Sequence, residues 1–108
     1  MEINLKPIVM TLFIFSLLFT AVQADDLIDE AIWIDVRSMG EYRQGHKEGA
    51  LHIPHTIIGE KIRQVTTNKN AEIHLYCAAG VRAGIAKRVL EQMGYTNVLN
   101  EGGLSDVQ

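Results

Sequence analysis

The stretch Ile73-His74-Leu75-Tyr76-Cys77-Ala78-Ala79-Gly80-Val81-Arg82, running straight into Ala83-Gly84-Ile85-Ala86-Lys87-Arg88-Val89-Leu90, decides the fold. The first residues are a short apolar run of buried-strand type, and the last ones have helical spacing. A tight loop joins them, opening on the chain's single cysteine and closing on an arginine. A thiol there sits at the C-terminal end of a strand and faces the N-terminus of a helix. Loop N–H groups and the helix dipole then favour thiolate over thiol. Small residues at Ala78, Ala79 and Gly80 let the backbone itself line the site, as an anion cradle requires. Cys77 is therefore read as a nucleophile in a backbone-lined pocket, against the alternative of a buried structural cysteine at a strand end.

Strands and helices alternate on either side of this unit. Ala31–Val36 is a dense β-branched and aromatic strand, and Ser38 is placed to cap a helix over Met39–Gln44 that Gly45 stops. Gly49–Pro54 reads as a second strand halted by its proline. Thr56–Val65 has an amphipathic helical pattern, followed by a polar turn. The strand Glu72–Tyr76 and the helix Arg82–Met93 come next, with Gly94 as cap. Asn97–Asn100 closes the series, and Gly102-Gly103 turns the chain into a short stub. Such alternation predicts an α/β domain with a central parallel sheet and helices on both faces. Working residues in these sheets gather at the carboxyl ends of the strands, where Asp35, Arg37 and Cys77 all fall.

The chain has 108 residues with 10 Lys and Arg, 13 Asp and Glu, and a net charge of −3. Mild acidity without a basic cluster argues against nucleic acid as a partner. Residues 1–24 are expected to be a secretory signal peptide: Lys6 in the n-region, an apolar core over Ile8–Phe19, and small or aliphatic residues before Ala24. The apolar run is about a dozen residues, short of the ~20 that span a bilayer, so no stable membrane insertion is expected after cleavage. Residues 25–108 would form one small domain in the periplasm. A lone thiol in that oxidising compartment has no partner for an internal disulfide, so it is either buried or has a task.

Three segments together resemble the rhodanese family. Ile34-Asp35-Val36-Arg37-Ser38-Met39-Gly40-Glu41-Tyr42-Arg43-Gln44-Gly45-His46, continuing through Gly49-Ala50 to Ile53-Pro54, looks like its amino-terminal signature. Cys77–Arg82 is similar to its active-site loop, and Gly94-Tyr95-Thr96-Asn97-Val98 with Gly102-Gly103-Leu104 resembles its closing segment. Within the family the likeness is to small exported single-domain enzymes of the phage-shock type.

The resemblance implies a thiosulfate sulfurtransferase. Catalytic Cys77 would take a sulfur from thiosulfate, or another small sulfane-sulfur donor, and pass it as a persulfide to cyanide or a thiol. Ala78, Ala79, Gly80, Val81 and Arg82 would line the substrate site, with Asp35 and Arg37 as its structural support. No metal or organic cofactor is implied. The six-residue loop points the same way, because phosphatase and arsenate-reductase relatives use one residue more. A rhodanese-like sulfur-carrier or protein-binding module with little turnover is the other reading. A thiol–disulfide redox protein lacks a resolving cysteine.

Some departures from the family pattern carry expectations of their own. Ala83 stands where many relatives have a hydroxyl, and Lys47 replaces an apolar residue after His46, its stem expected to lie over the core. The family's usual terminal helix, with its aromatic residue, is not expected within the few residues after Gly103, so one sheet face is expected to be thinly covered or covered by a partner. Arg82 either binds substrate or braces the loop through a carboxylate such as Asp35 or Glu41. His46 is expected to fix a turn, and Trp33 to be core. His46, His52, His55 and His74 lack ligand spacing for a metal.

Overall fold

The computed structural model describes residues 30–108. The signal-peptide reading of residues 1–24 lies outside the described residues. Four parallel strands form one sheet in the order β2-β1-β3-β4: β1 (Ile32–Asp35), β2 (Leu51–His52), β3 (Ile73–Cys77) and β4 (Val98–Gly103). The helices are α1 (Met39–Gln44), α2 (Ile58–Val65, entered through a 3-10 turn at His55–Ile57), α3 (Val81–Gln92) and the single turn α4 (Leu104–Val107). None of the described helices is long and apolar enough to cross a membrane.

Strand alternation divides the sheet into two faces. One face carries Ile34, Val36, Ile73, Leu75 and Cys77, which are buried in a single cluster with Ile58 and Ile62 of α2 and Ala83, Ala86 and Leu90 of α3. The helical residues recur at three- and four-residue spacing, so each helix lays one stripe on the sheet. Alanines on α3 let that helix lie close to β3, and Gly59 lets α2 lie close to α3, since a Cβ there would meet the Val89 side chain at 3.1 Å. Truncating a side chain such as Leu90 would cost about 2–5 kcal/mol.

The other face is different. Trp33, His74 and Leu99 stand side by side in register, and they are half-buried or exposed. Trp33 is thus not the core residue its strand pattern predicts. Its ring stacks on His74 at 4.4 Å and lies under the Lys47 ammonium at 4.6 Å, an aromatic surface used for a cation instead of burial.

Most element boundaries lie within a residue or two of those expected from sequence, and the larger departures are at the second and fourth strands and the segment after them. The second strand is only two residues, because Gly49 at φ +85° and the Ala50 N–H to Lys47 carbonyl bond (3.0 Å) form a turn where a strand start was expected. The fourth strand runs on to Gly103 instead of ending at Asn100. A register shift opposite Leu75–Cys77 sets Cys77 beside Gly103, so the two glycines extend the sheet under the cysteine. The chain after them is the helical turn Leu104–Val107.

Candidate active site

Cys77 is the last residue of β3 and Val81 the first of α3, so Ala78, Ala79 and Gly80 make the whole connection. The reversal is tight, and it needs Gly80 at φ +95°, a left-handed conformation that other residues rarely take. That turn directs main-chain N–H groups inward. The Gly80 N–H donates to Cys77 Sγ at 3.0 Å. Burial by itself would push the Cys77 thiol up. The amides of Ala83, Ala79, Gly80 and Arg82 outweigh it and hold the thiol below its ordinary value. The sulfur is therefore buried at the base of the loop and ringed by donors at the N-terminus of a twelve-residue helix.

The loop is held from behind by β4. Asn100 donates from Nδ2 to the Gly80 carbonyl at 2.9 Å, and its Oδ1 accepts from the Gly102 N–H at 2.9 Å. A Cβ on Gly103 would run into the Ala78 carbonyl, so glycine lets the loop backbone rest directly on the strand. Asp106 accepts from the Gly103 N–H at 2.8 Å and fixes this platform. Neither Asn100 nor Gly103 is among the residues expected from sequence to form the site. The signal was the Asn-x-Gly-Gly run itself, a turn-type sequence that the structure uses as a strand.

Two arginine–carboxylate pairs stand at this end of the sheet. Asp35 and Arg37 pair with each other: Arg37 Nη2 and Nε reach Asp35 Oδ2 at 2.6 and 3.0 Å, and the Arg37 N–H reaches Oδ1 at 2.9 Å. Arg37 Nη2 also donates to the Gly45 carbonyl at 2.7 Å, tying β1 to the end of α1. Burial would push the Asp35 carboxyl up, but the hydrogen bonds from Arg37 bring it below its ordinary value.

Arg82 takes the other carboxylate. Its Nη1 and Nη2 donate to Oε1 and Oε2 of Glu41 at 2.8 and 3.0 Å, a bidentate fork. Of the two bracing partners considered from sequence, Glu41 is the one used and Asp35 is not. Glu41 is in turn fixed by the capping box of α1, its Oε1 accepting from the Ser38 N–H at 3.1 Å and from Ser38 Oγ at 2.9 Å. The Arg82 hydrogen bonds, with those from Ser38, lower its carboxyl to about 2. Arg82 also lies close enough to Cys77 to interact with its sulfur.

Around this mouth Ala78, Ala79 and Val81 are exposed, Val81 by 72%. Three of the four histidines are engaged elsewhere. His46 Nδ1 bonds the Tyr42 carbonyl at 2.8 Å, as a turn-fixing role requires, and His52 Nε2 bonds the Arg37 carbonyl at 2.7 Å. His74 lies between Glu72 and Glu101. No group of three or more His, Cys, Asp or Glu residues is placed to hold a metal ion among the described residues.

A cysteine at a strand end, cupped by amides that open a helix inside a small parallel α/β domain, defines a class of anion-binding thiol proteins. Comparison with known proteins narrows the class. Residues 20–108 match the family model for the rhodanese-like domain, and the chain belongs to that family. It is 45% identical over 75 residues to the thiosulfate sulfurtransferase PspE of Escherichia coli, covering 69% of this chain and 72% of that protein. It is 34% identical over 73 residues to the putative sulfur carrier protein YrkF of Bacillus subtilis, covering 67% of this chain and 38% of the relative. Among solved structures, a rhodanese with anions from E. coli superposes with a TM-score of 0.70 at 44% identity. That match covers 72% of this chain and 92% of the other.

Proposed function

We propose that this protein is a thiosulfate sulfurtransferase working through a persulfide on Cys77. The ring of main-chain amides around Sγ carries the reading. It favours the thiolate that attacks, and it complements the charge of both donor and intermediate. In the first half-reaction the Cys77 thiolate bonds to the outer sulfur of thiosulfate. The bond from that sulfur to the central one breaks, and its electron pair leaves on sulfite. The persulfide anion left on Cys77 occupies the amide cradle. In the second half-reaction cyanide or a thiol bonds to the outer sulfur, and the electrons of the Sγ–S bond return to Cys77 as thiolate.

Each loop residue has a part. Ala78, Ala79 and Gly80 bring backbone, not side chain, up to the anion. Val81 and Arg82 start the helix whose N-terminus faces the sulfur, and Arg82 adds a guanidinium beside it. Asp35 and Arg37 hold the strand end and α1 in place. Similarity to PspE supports turnover with thiosulfate. Similarity to YrkF supports a second reading, a sulfur carrier that loads the same persulfide but releases it only to a partner. Residues 1–24 are proposed to direct the protein to the periplasm and to be removed.

Cyanide-dependent thiocyanate formation, with Cys77→Ala as control, tests the enzyme. Wild type is expected to turn over and the variant to fall to background; equal rates would overturn the proposal. Mass spectrometry after thiosulfate alone is expected to show one added sulfur atom on wild type and none on the variant. Loading without turnover would favour the carrier.

A further inference from the structure

The mouth of the site carries little free charge. The loop's one cation, Arg82, has both terminal nitrogens on Glu41, and the three loop residues with side chains exposed are Ala78, Ala79 and Val81. Val81 is the most exposed large apolar side chain among the described residues, and Ile85, also exposed, follows it one helical turn later on the same side of α3. Val81 and Ile85 take no part in fixing the thiolate, which the loop amides accomplish with Arg82 beside the sulfur. They bear on what approaches once the cysteine is loaded.

We infer that the Glu41–Arg82 pair and the exposed Val81 make the loaded site select an apolar thiol without a charged group of its own as sulfur acceptor. The inference rests on the persulfide chemistry proposed above. A persulfide anion satisfies the amides that held the donor. With Arg82 neutralised by Glu41, an acceptor bearing a carboxylate meets net negative charge at the mouth. Repulsion between unit charges some 6 Å apart in a half-solvated setting slows such an acceptor by about tenfold. A neutral thiol meets no such barrier and lays its alkyl chain on Val81. Its sulfur bonds to the outer sulfur, its proton ends on the transferred sulfur, and the Sγ–S electron pair returns to Cys77 as thiolate. The products are the acceptor's persulfide and the free enzyme.

The test separates loading from transfer. The protein is loaded with thiosulfate, freed of excess donor, and checked by mass for one added sulfur, so absence of loading would indict the sulfurtransferase reading and not this one. Unloading is then timed with 2-mercaptoethanol and with 3-mercaptopropionate, each rate expressed per thiolate. The neutral thiol is expected to be faster by about tenfold; equal rates, or a faster anionic thiol, would overturn the inference. Glu41→Gln is expected to narrow that ratio to threefold or less by freeing the Arg82 charge. Ser38→Ala breaks the capping box but leaves Glu41 on Arg82, and is expected to keep the wild-type ratio. A shift in Ser38→Ala as large as that in Glu41→Gln would show a packing effect and sink the charge argument. Lengthening the neutral acceptor to 4-mercapto-1-butanol is expected to speed unloading in wild type and not in Val81→Ser; the same gain in both would remove Val81 from the proposal.

Discussion

Two arginine–carboxylate pairs flank the same cysteine loop, and they differ in solvent exposure. The Asp35–Arg37 side chains are 0% and 7% exposed, while Glu41 and Arg82 are 34% and 29% exposed. A buried pair has left water altogether, so each partner depends on the other for compensation. A half-exposed pair is screened and contributes little to folding, yet its charge is felt by whatever enters the site. Similar chemistry therefore serves two purposes, and burial decides which. The inner pair is tied into the strand end, and on the inference above the outer pair is the one that sets the field at the mouth.

The most severe way to break this contrast is Asp35→Asn. The shape is kept, but the Arg37 guanidinium remains buried without its counter-charge, and stability is expected to fall by about 3–5 kcal/mol. Urea unfolding at neutral pH measures it, and a loss under 1 kcal/mol would show that the inner pair is no more structural than the outer one. Gly103→Ala comes next. Its φ of −107° suits any residue, so the effect is purely the overlap of a Cβ with the Ala78 carbonyl. Overpacking of this kind costs about 1–3 kcal/mol. Because the loop must move to relieve it, the rate of Cys77 alkylation at neutral pH is expected to drop as well, through weakened amide contacts. Unchanged reactivity would mean that the platform under the loop does not shape the thiolate.

Glu41→Gln is expected to cost less than about 1 kcal/mol in the same unfolding experiment, in keeping with its exposure. Because the Glu41 carboxyl is held at about 2, the pair stays ionised at any working pH. The neutral-over-anionic acceptor ratio is accordingly expected to stay flat between pH 6 and 9. A ratio that changed steeply there would assign the field to some group other than Glu41.

Much of this was legible in the sequence, for reasons that can be named. The β3–loop–α3 unit was readable because hydrophobic period changes from strand to helix across a run of small residues, and only one cysteine was available. Ser38 was readable as a cap because a serine stands directly before the helical pattern. The role of β4 was not readable. Asn100 and Gly103 act through a register shift between strands that are some twenty residues apart in sequence, and nothing local encodes that shift. Trp33 misled because an aromatic in a β-branched run ordinarily marks a core, whereas here the sheet face it occupies is only partly covered.

That same thinly covered face supplies the smallest of the expected effects, and a third term for the comparison. His74 lies between Glu101 at 2.7 Å and Glu72 at 2.6 Å, its own side chain 14% exposed and stacked on Trp33. Burial would lower the imidazole, but hydrogen bonds to the two glutamates reverse that and hold it above its ordinary 6.5. A group raised on folding adds stability that is fully present below pH 6.5 and is lost as pH climbs through the folded value. With one partner largely buried and two near the surface, the contribution is well below about 1 kcal/mol. The stability difference between wild type and His74→Gln is therefore expected to shrink as pH rises from 6 to 9. Any titration of Cys77 is common to both proteins and cancels in that difference, so a gap independent of pH would mean that the imidazole is held by stacking on Trp33 and not by its carboxylates.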